Sequence, residues 1–239
     1  MSEILRIEHL TKTYGTKKAV DDLSLSIHEG DLFGFIGHNG AGKTTTLRSA
    51  VGILDFEQGS ILVDGHSLQD EPLACKQVIA YLPDNPDLYE YLTGIQYLSF
   101  IADIFGVGKQ EREIQIAEYA GRLELTSNLG DLIGSYSHGM KQKLALISAF
   151  LHKPRLLVLD EPFVGLDPSA AFQLKEMMKE MCDKGGAIFF STHVLDVAEK
   201  LCSRIGIIKG GRLIACGNTE DVRGDSSLED AFLEVLDNE

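Results

Sequence analysis

Three observations predict an α/β fold with a mostly parallel sheet, an N-terminal antiparallel β region and a helical subdomain inserted in the core. A glycine-rich stretch, residues 37–45, lies between an apolar strand-like run at 32–36 and a segment of helical character from residue 46. Two later runs, residues 156–161 and 187–192, are almost unbroken in apolar character, as strands covered on both faces are. Between about residues 86 and 151 the apolar positions instead recur at helical spacing.

The totals fit this reading. A chain of 239 residues buries a full core, so one unit spanning 1–239 is expected, with the helical subdomain at about 86–151 inside it. Apolar residues make up 44% and charged residues 24%, as in ordinary globular proteins. No apolar run approaches the ~20 residues that span a bilayer. Residues 1–6 lack a basic segment followed by an apolar one, so no signal peptide is expected and the chain is placed in the cytosol. A net charge of −14 argues against a general nucleic-acid binder and against direct attraction to anionic lipid. Membrane association would therefore run through a protein partner. Cys75, Cys182, Cys202 and Cys216 are scattered, form no C-x-x-C, and are expected to be buried free thiols.

In chain order, residues 4–7 and 23–27 alternate apolar and polar, which predicts half-exposed antiparallel strands. Tyr14 lies in the polar turn between them, as a turn tyrosine or as a platform for a base. Residues 37–45 then fit G-x-x-x-x-G-K-[ST] in full, in the strand–loop–helix context that gives the motif meaning. Its glycines let successive N–H groups face phosphate oxygens, and the following helix adds its positive end. Lys43 should reach the β- and γ-phosphates, and the Thr44 hydroxyl should ligate Mg²⁺. A nucleoside triphosphate is the expected ligand.

Residues 59–65 read as a short strand closed by Asp-Gly, and 78–82 as another, stopped by Pro83 and Pro86 around Asp84 and Asn85. Leu88, Tyr89, Tyr91 and Leu92 stand at the entrance of the helical region, either as core or as an apolar groove for a partner helix. Residues 172–182 are helical, with Leu174, Met177, Met178 and Met181 on one face. Residues 204–216 read as a hairpin turning at Gly210 and Gly211. Leu228, Ala231, Phe232, Val235 and Leu236 make an amphipathic closing helix.

An apolar strand ending in Asp160 and Glu161 supplies the other half of a phosphoryl-transfer site: one carboxylate to hold Mg²⁺ through water, one to polarise an attacking water. With these in place, the chain resembles the ATP-binding-cassette ATPases, the nucleotide-binding subunits of transporters. The resemblance covers nearly the whole chain and implies a P-loop NTPase core. Residues 37–45, including Gly37, Asn39, Gly40, Ala41, Gly42 and Thr45, look like its Walker A loop, and 156–161 like its Walker B strand. Gly165-Leu166-Asp167 looks like the D-loop, His193 like the switch histidine, and residues 136–142, with Ser137 and Gly139, like the signature usually written L-S-G-G-Q.

The resemblance implies ATP and Mg²⁺ as ligands, Tyr14 as the adenine-stacking aromatic, Glu161 as the base for water, and His193 as a γ-phosphate contact. It also implies two subunits closing head to tail over two ATP molecules, so that Ser137, Gly139 and Asp167 serve the site of a second ATPase subunit, a like copy or a sister. Three positions depart from the family: Asp84 where glutamine is usual, placing a carboxylate near the metal; His138 where glycine is common, as a pH-dependent donor to phosphate or pointing into solvent; and His38 in place of a frequent proline. Asp84 predicts altered coupling between the nucleotide site and the helical insertion. The implied function is the ATPase subunit of a bacterial-type exporter of a peptide, toxin, antibiotic or lipid, working with an integral membrane permease at the inner face of the membrane. A non-transport cassette ATPase acting on nucleic acid or ribosomes and a low-turnover regulatory subunit are the competing classes.

Overall fold

The computed structural model describes the backbone of residues 2–237 and the side chains of residues 2–234. Two long strands, β1 (Glu3–Tyr14) and β2 (Lys17–His28), pair antiparallel, and with β4 (Gln58–Val63) and the short β5 (His66–Ser67) form a sheet of order β2-β1-β4-β5. The main sheet has the order β10-β9-β3-β8-β7-β6, formed by β3 (Leu32–Ile36), β6 (Ile79–Leu82), β7 (Leu156–Asp160), β8 (Ala187–Thr192), β9 (Arg204–Lys209) and β10 (Arg212–Asn218). All of its pairs are parallel except the β9–β10 hairpin.

The unbroken apolar runs are explained by layers on both faces of this sheet. Phe33, Phe35, Val158 and Phe189 enter a core shared with the antiparallel sheet and with α1 (Lys43–Ala50). Their strand neighbours Ile36, Leu157, Leu159, Ile188 and Phe190 enter a second core under the helices. Successive side chains thus serve opposite cores, and neither face of the strands needs a polar residue.

The helices of the second layer are α3 (Gly94–Ile104), α4 (Lys109–Arg122), α5 (His138–Phe150) and α6 (Pro168–Asp183). Thr93 and Gln96 form a capping box that starts α3, so the helical stretch begins later than the apolar pattern from Leu88 implies. Two short 3₁₀ turns, Thr126–Asn128 and Ile133–Ser135, also interrupt it. Leu88 is buried and Leu92 packs against the core, whereas Tyr89 and Tyr91 are exposed.

Two local expectations are corrected. Val78 closes a helix, α2 (Pro72–Val78), rather than opening a strand. Proline at its first turn has no N–H to leave unpaired, and Leu73 projects outward, so the helix lacks an apolar stripe to announce it. Cys75, Cys182 and Cys202 are buried, but Cys216 is exposed because β10 is an edge strand paired on one side only. The chain closes with α7 (Leu195–Leu201), α8 (Thr219–Arg223) and α9 (Leu228–Asp237); Leu228, Ala231 and Phe232 of α9 are buried, while the side chains of Val235 and Leu236 lie outside the described residues. Among the described residues, no helix is long and apolar enough to cross a membrane.

Candidate functional site

Strand register decides which residues meet. In the main sheet β3, β8 and β7 are adjacent and parallel, with Ile36 opposite Thr192 and Asp160 opposite Ser191. Residues just past these carboxyl ends therefore gather at one edge, where parallel sheets characteristically bind ligands. From β3 comes the loop of residues 37–42, from β7 come Asp160 and Glu161, from β8 comes His193, and from neighbouring β6 comes Asp84.

The loop wraps tightly because its glycines permit it. At Gly42, with φ of 116°, a Cβ would lie 2.4 Å from the Ala19 carbonyl, and at Gly37 one would lie 2.5 Å from that of Ile208. Lys43, the first residue of α1, is buried and donates to the carbonyl of Gly37 at 2.5 Å and of His38 at 3.4 Å. Its ammonium also stands 3.6 Å from Glu161 Oε1, the same oxygen that His193 Nδ1 approaches to 2.9 Å. Glu161 itself has φ of 48°, a conformation costing a non-glycine residue about 1–3 kcal/mol. The strain is held by Ser191: its hydroxyl and carbonyl accept from the Glu161 N–H at 3.1 and 3.3 Å.

The same Ser191 hydroxyl donates to Asp160 Oδ1, leaving Asp160 Oδ2 buried with no hydrogen-bond partner. A buried, orphaned carboxylate oxygen is costly unless something arrives to use it. Asp160 lines a cavity of about 370 Å³ together with Tyr14, Asn39, Gly40, Gly42, Lys43, Thr44, Thr45, Asp84 and Glu161. Among the described residues, no group of three or more His, Cys, Asp or Glu side chains could hold a metal ion alone. One buried carboxylate and the Thr44 hydroxyl match instead what Mg²⁺ takes from a protein when phosphate and water supply its other oxygens.

At the cavity mouth Tyr14 is 52% exposed, with the Lys12 ammonium 5.7 Å from its ring centroid and held by Glu57 at 2.9 Å. Asp84 is exposed and accepts from the Asn85 N–H at 2.9 Å. Lys17 and Ala19 also line the cavity, and the Gly211 N–H donates to the Ala41 carbonyl at 2.8 Å, buttressing the loop from the β9–β10 turn. Sequence reasoning missed these and Ser191; for Ser191 its place two residues before His193, on a strand beside an acidic strand end, was the available signal.

Ser137, Gly139 and Asp167 do not line this cavity. The Ser137 hydroxyl caps α5 by accepting from the Met140 N–H at 3.3 Å. Asp167 caps α6, accepting from the Ala170 N–H at 2.8 Å, and pairs with Lys143 at 2.7 Å, which holds its carboxyl below the usual aspartate range. Gly139 approaches the Gly165 carbonyl so closely that a Cβ would lie 2.8 Å from it. His138 is exposed, with its ring over Gly165, where a Cβ would sit 2.7 Å from Cδ2. It therefore lies against a neighbouring loop rather than pointing freely into solvent.

Known proteins resemble this chain in sequence and in fold. Residues 20–164 match the family described as ABC transporter. The chain is 37% identical, over 95% of its length and 74% of the relative's, to the uncharacterized ABC transporter ATP-binding protein YhcH of Bacillus subtilis. It is 36% identical, over 98% of its length and 78% of the relative's, to the linearmycin resistance ATP-binding protein LnrL of the same organism. A solved structure of an ATP-binding subunit of an ABC transporter superposes with a TM-score of 0.94 at 34% identity, covering 98% of this chain and 99% of the other.

Proposed function

The chain belongs to the ABC transporter family as an ATP-hydrolysing ATP-binding subunit, and from that premise we propose that it powers export of a peptide, toxin, antibiotic or lipid through a separate membrane permease. The observation that carries the ATPase half is the convergence of Lys43, Asp160, Glu161 and His193 at one sheet edge beside the glycine loop. Export is supported by the name of a relative that confers linearmycin resistance.

Lys43 and the loop amides bind and orient the phosphates; the lysine exchanges its contacts with the Gly37 and His38 carbonyls for phosphate oxygens. Thr44 and Asp160 would hold Mg²⁺, which would supply charge neutralisation at the phosphates. Glu161 accepts a proton from the attacking water, and His193, 2.9 Å from it, orients its carboxylate. Tyr14 offers its exposed ring to the adenine. Ser137, Gly139 and Asp167 complete the cavity of a second copy or of a sister subunit. Exposed Tyr89 and Tyr91 at the entrance of the helical insertion receive the permease, on the cytoplasmic face of the membrane.

Glu161→Gln tests the reading. Phosphate release should fall by about 10²–10⁴-fold while ATP still binds, and ATP should shift the variant from monomer to dimer in solution. A variant that hydrolyses at the wild-type rate overturns the role of Glu161. One that binds ATP and stays monomeric overturns pairing of like copies. Cells lacking the chain should become more sensitive to its cargo class; loss of uptake instead would reverse the direction.

A further inference from the structure

His38 departs from the family pattern in the middle of the phosphate loop, and it has a partner far away in sequence. Its ring meets that of Phe232 edge to face, with centroids 5.2 Å apart at 63°. Phe232 is 5% exposed and belongs to the larger core, so its ring is a fixed object, whereas His38 is an exposed residue that also lines the cavity. The His38 carbonyl is a hinge of the loop: it accepts from the Ala41 N–H at 3.1 Å and from Lys43 Nζ. Restricting the His38 ring therefore restricts the stretch of backbone from which the lysine departs on binding phosphate.

The helix that carries Phe232 is itself tied to the other side of the site. Glu199 of α7 accepts from the first amide of α9, at Leu228, at 3.1 Å and from Arg223 of α8 at 3.2 Å. Helix α7 starts two residues after His193. The C-terminal helix thus connects the element bearing His193 with the loop bearing Lys43, without contributing a group to the cavity.

We propose that Phe232 is a positioning residue for the phosphate loop, acting through His38, so that α9 braces the loop in its phosphate-binding shape. This rests on residues 37–45 being the loop that holds the phosphates. An aromatic pair held on one side by a packed core pre-organises the loop and lowers the ordering cost of binding.

The test is a double-mutant cycle on the affinity of the full chain for ADP with magnesium, read by titration calorimetry. His38→Ala and Phe232→Ala should each weaken binding, by about threefold to tenfold, and the double variant should be no weaker than either single one. His38→Phe, which keeps an aromatic edge, should retain wild-type affinity, and Leu233→Ala on the exposed side of the same helix should leave it unchanged. Should Phe232→Ala fail to fold, the exposed His38→Ala and His38→Phe pair still decides the matter. Wild-type affinity in His38→Ala, or effects that multiply in the double variant, overturn the brace. Lys43→Ala run alongside separates the two readings: if it binds ADP as well as wild type, the phosphate-loop assignment itself falls, whereas its loss of binding with an inert His38→Ala removes only the brace.

Discussion

Around residues 37–45 the functional side chains face one another across an open cavity, whereas at residues 137–139 and 165–167 they are engaged by the chain's own backbone and surface. Asp160 keeps one carboxylate oxygen buried and unpartnered, and Glu161 sits at positive φ between Lys43 and His193. Ser137 and Asp167, by contrast, each cap a helix, and Asp167 is further paired with Lys143. The first region carries a strained backbone at Glu161 and a buried Asp160 oxygen with no partner in the chain. The second is complete as a structural element and displays a helix start outward. That contrast supports the proposed division of the site between two chains, in which one surface would hold the nucleotide and the other would close on it.

The largest expected effect breaks the contrast at its active side. Lys43→Ala should reduce phosphate release by about 10²–10³-fold without changing oligomeric state in the absence of nucleotide; retention of a tenth of the rate would mean that the loop does not hold the phosphates through this lysine. On the other side, Ser137→Ala should cost about 1 kcal/mol of stability through the lost cap, measured by urea unfolding. Its hydrolysis should fall while a dilute monomer binds ATP as before. A drop in the monomer's affinity would put Ser137 in its own chain's cavity and erase the comparison.

Asp167→Ala sharpens it through pH. The Lys143 ion pair and the Ala170 N–H depress the folded-state pKa of Asp167, so its contribution is complete above the unfolded value, about 3.9, and disappears as pH falls through the lower folded value. The variant should be about 1 kcal/mol less stable at neutral pH and should converge with wild type in acid below that value. A gap that persists unchanged there would assign the effect to packing. The smallest change is expected from Asp84→Gln, whose rate should move by less than tenfold, about 1.4 kcal/mol, and only in the ratio of rates with and without the permease. An identical ratio in both proteins would detach Asp84 from coupling.

Much of this organisation was legible in the chain because it is written at short range. The glycine loop between an apolar run and a helix, the acidic end of residues 156–161 and the Gly210-Gly211 turn with both φ values positive each involve residues a few positions apart. Unbroken apolar strands likewise announce a sheet covered on both faces. Sequence by itself therefore determined the fold class and the chemistry available at each strand end.

Only the tertiary structure decided how these pieces meet. The pairing of Asp160 with Ser191 and of Ile36 with Thr192 depends on register between strands about 30 and 156 residues apart, which no local pattern encodes. The same holds for the exposure of Cys216, set by the edge position of β10, and for the helix at 72–78, whose outward Leu73 leaves no periodic stripe. It holds most for Phe232 against His38, 194 positions apart, where a closing helix that reads as mere core is brought to the phosphate loop. Local patterns specify what a segment is; packing of distant segments specifies what it touches, because contact is decided by which faces remain to be buried once every element has formed.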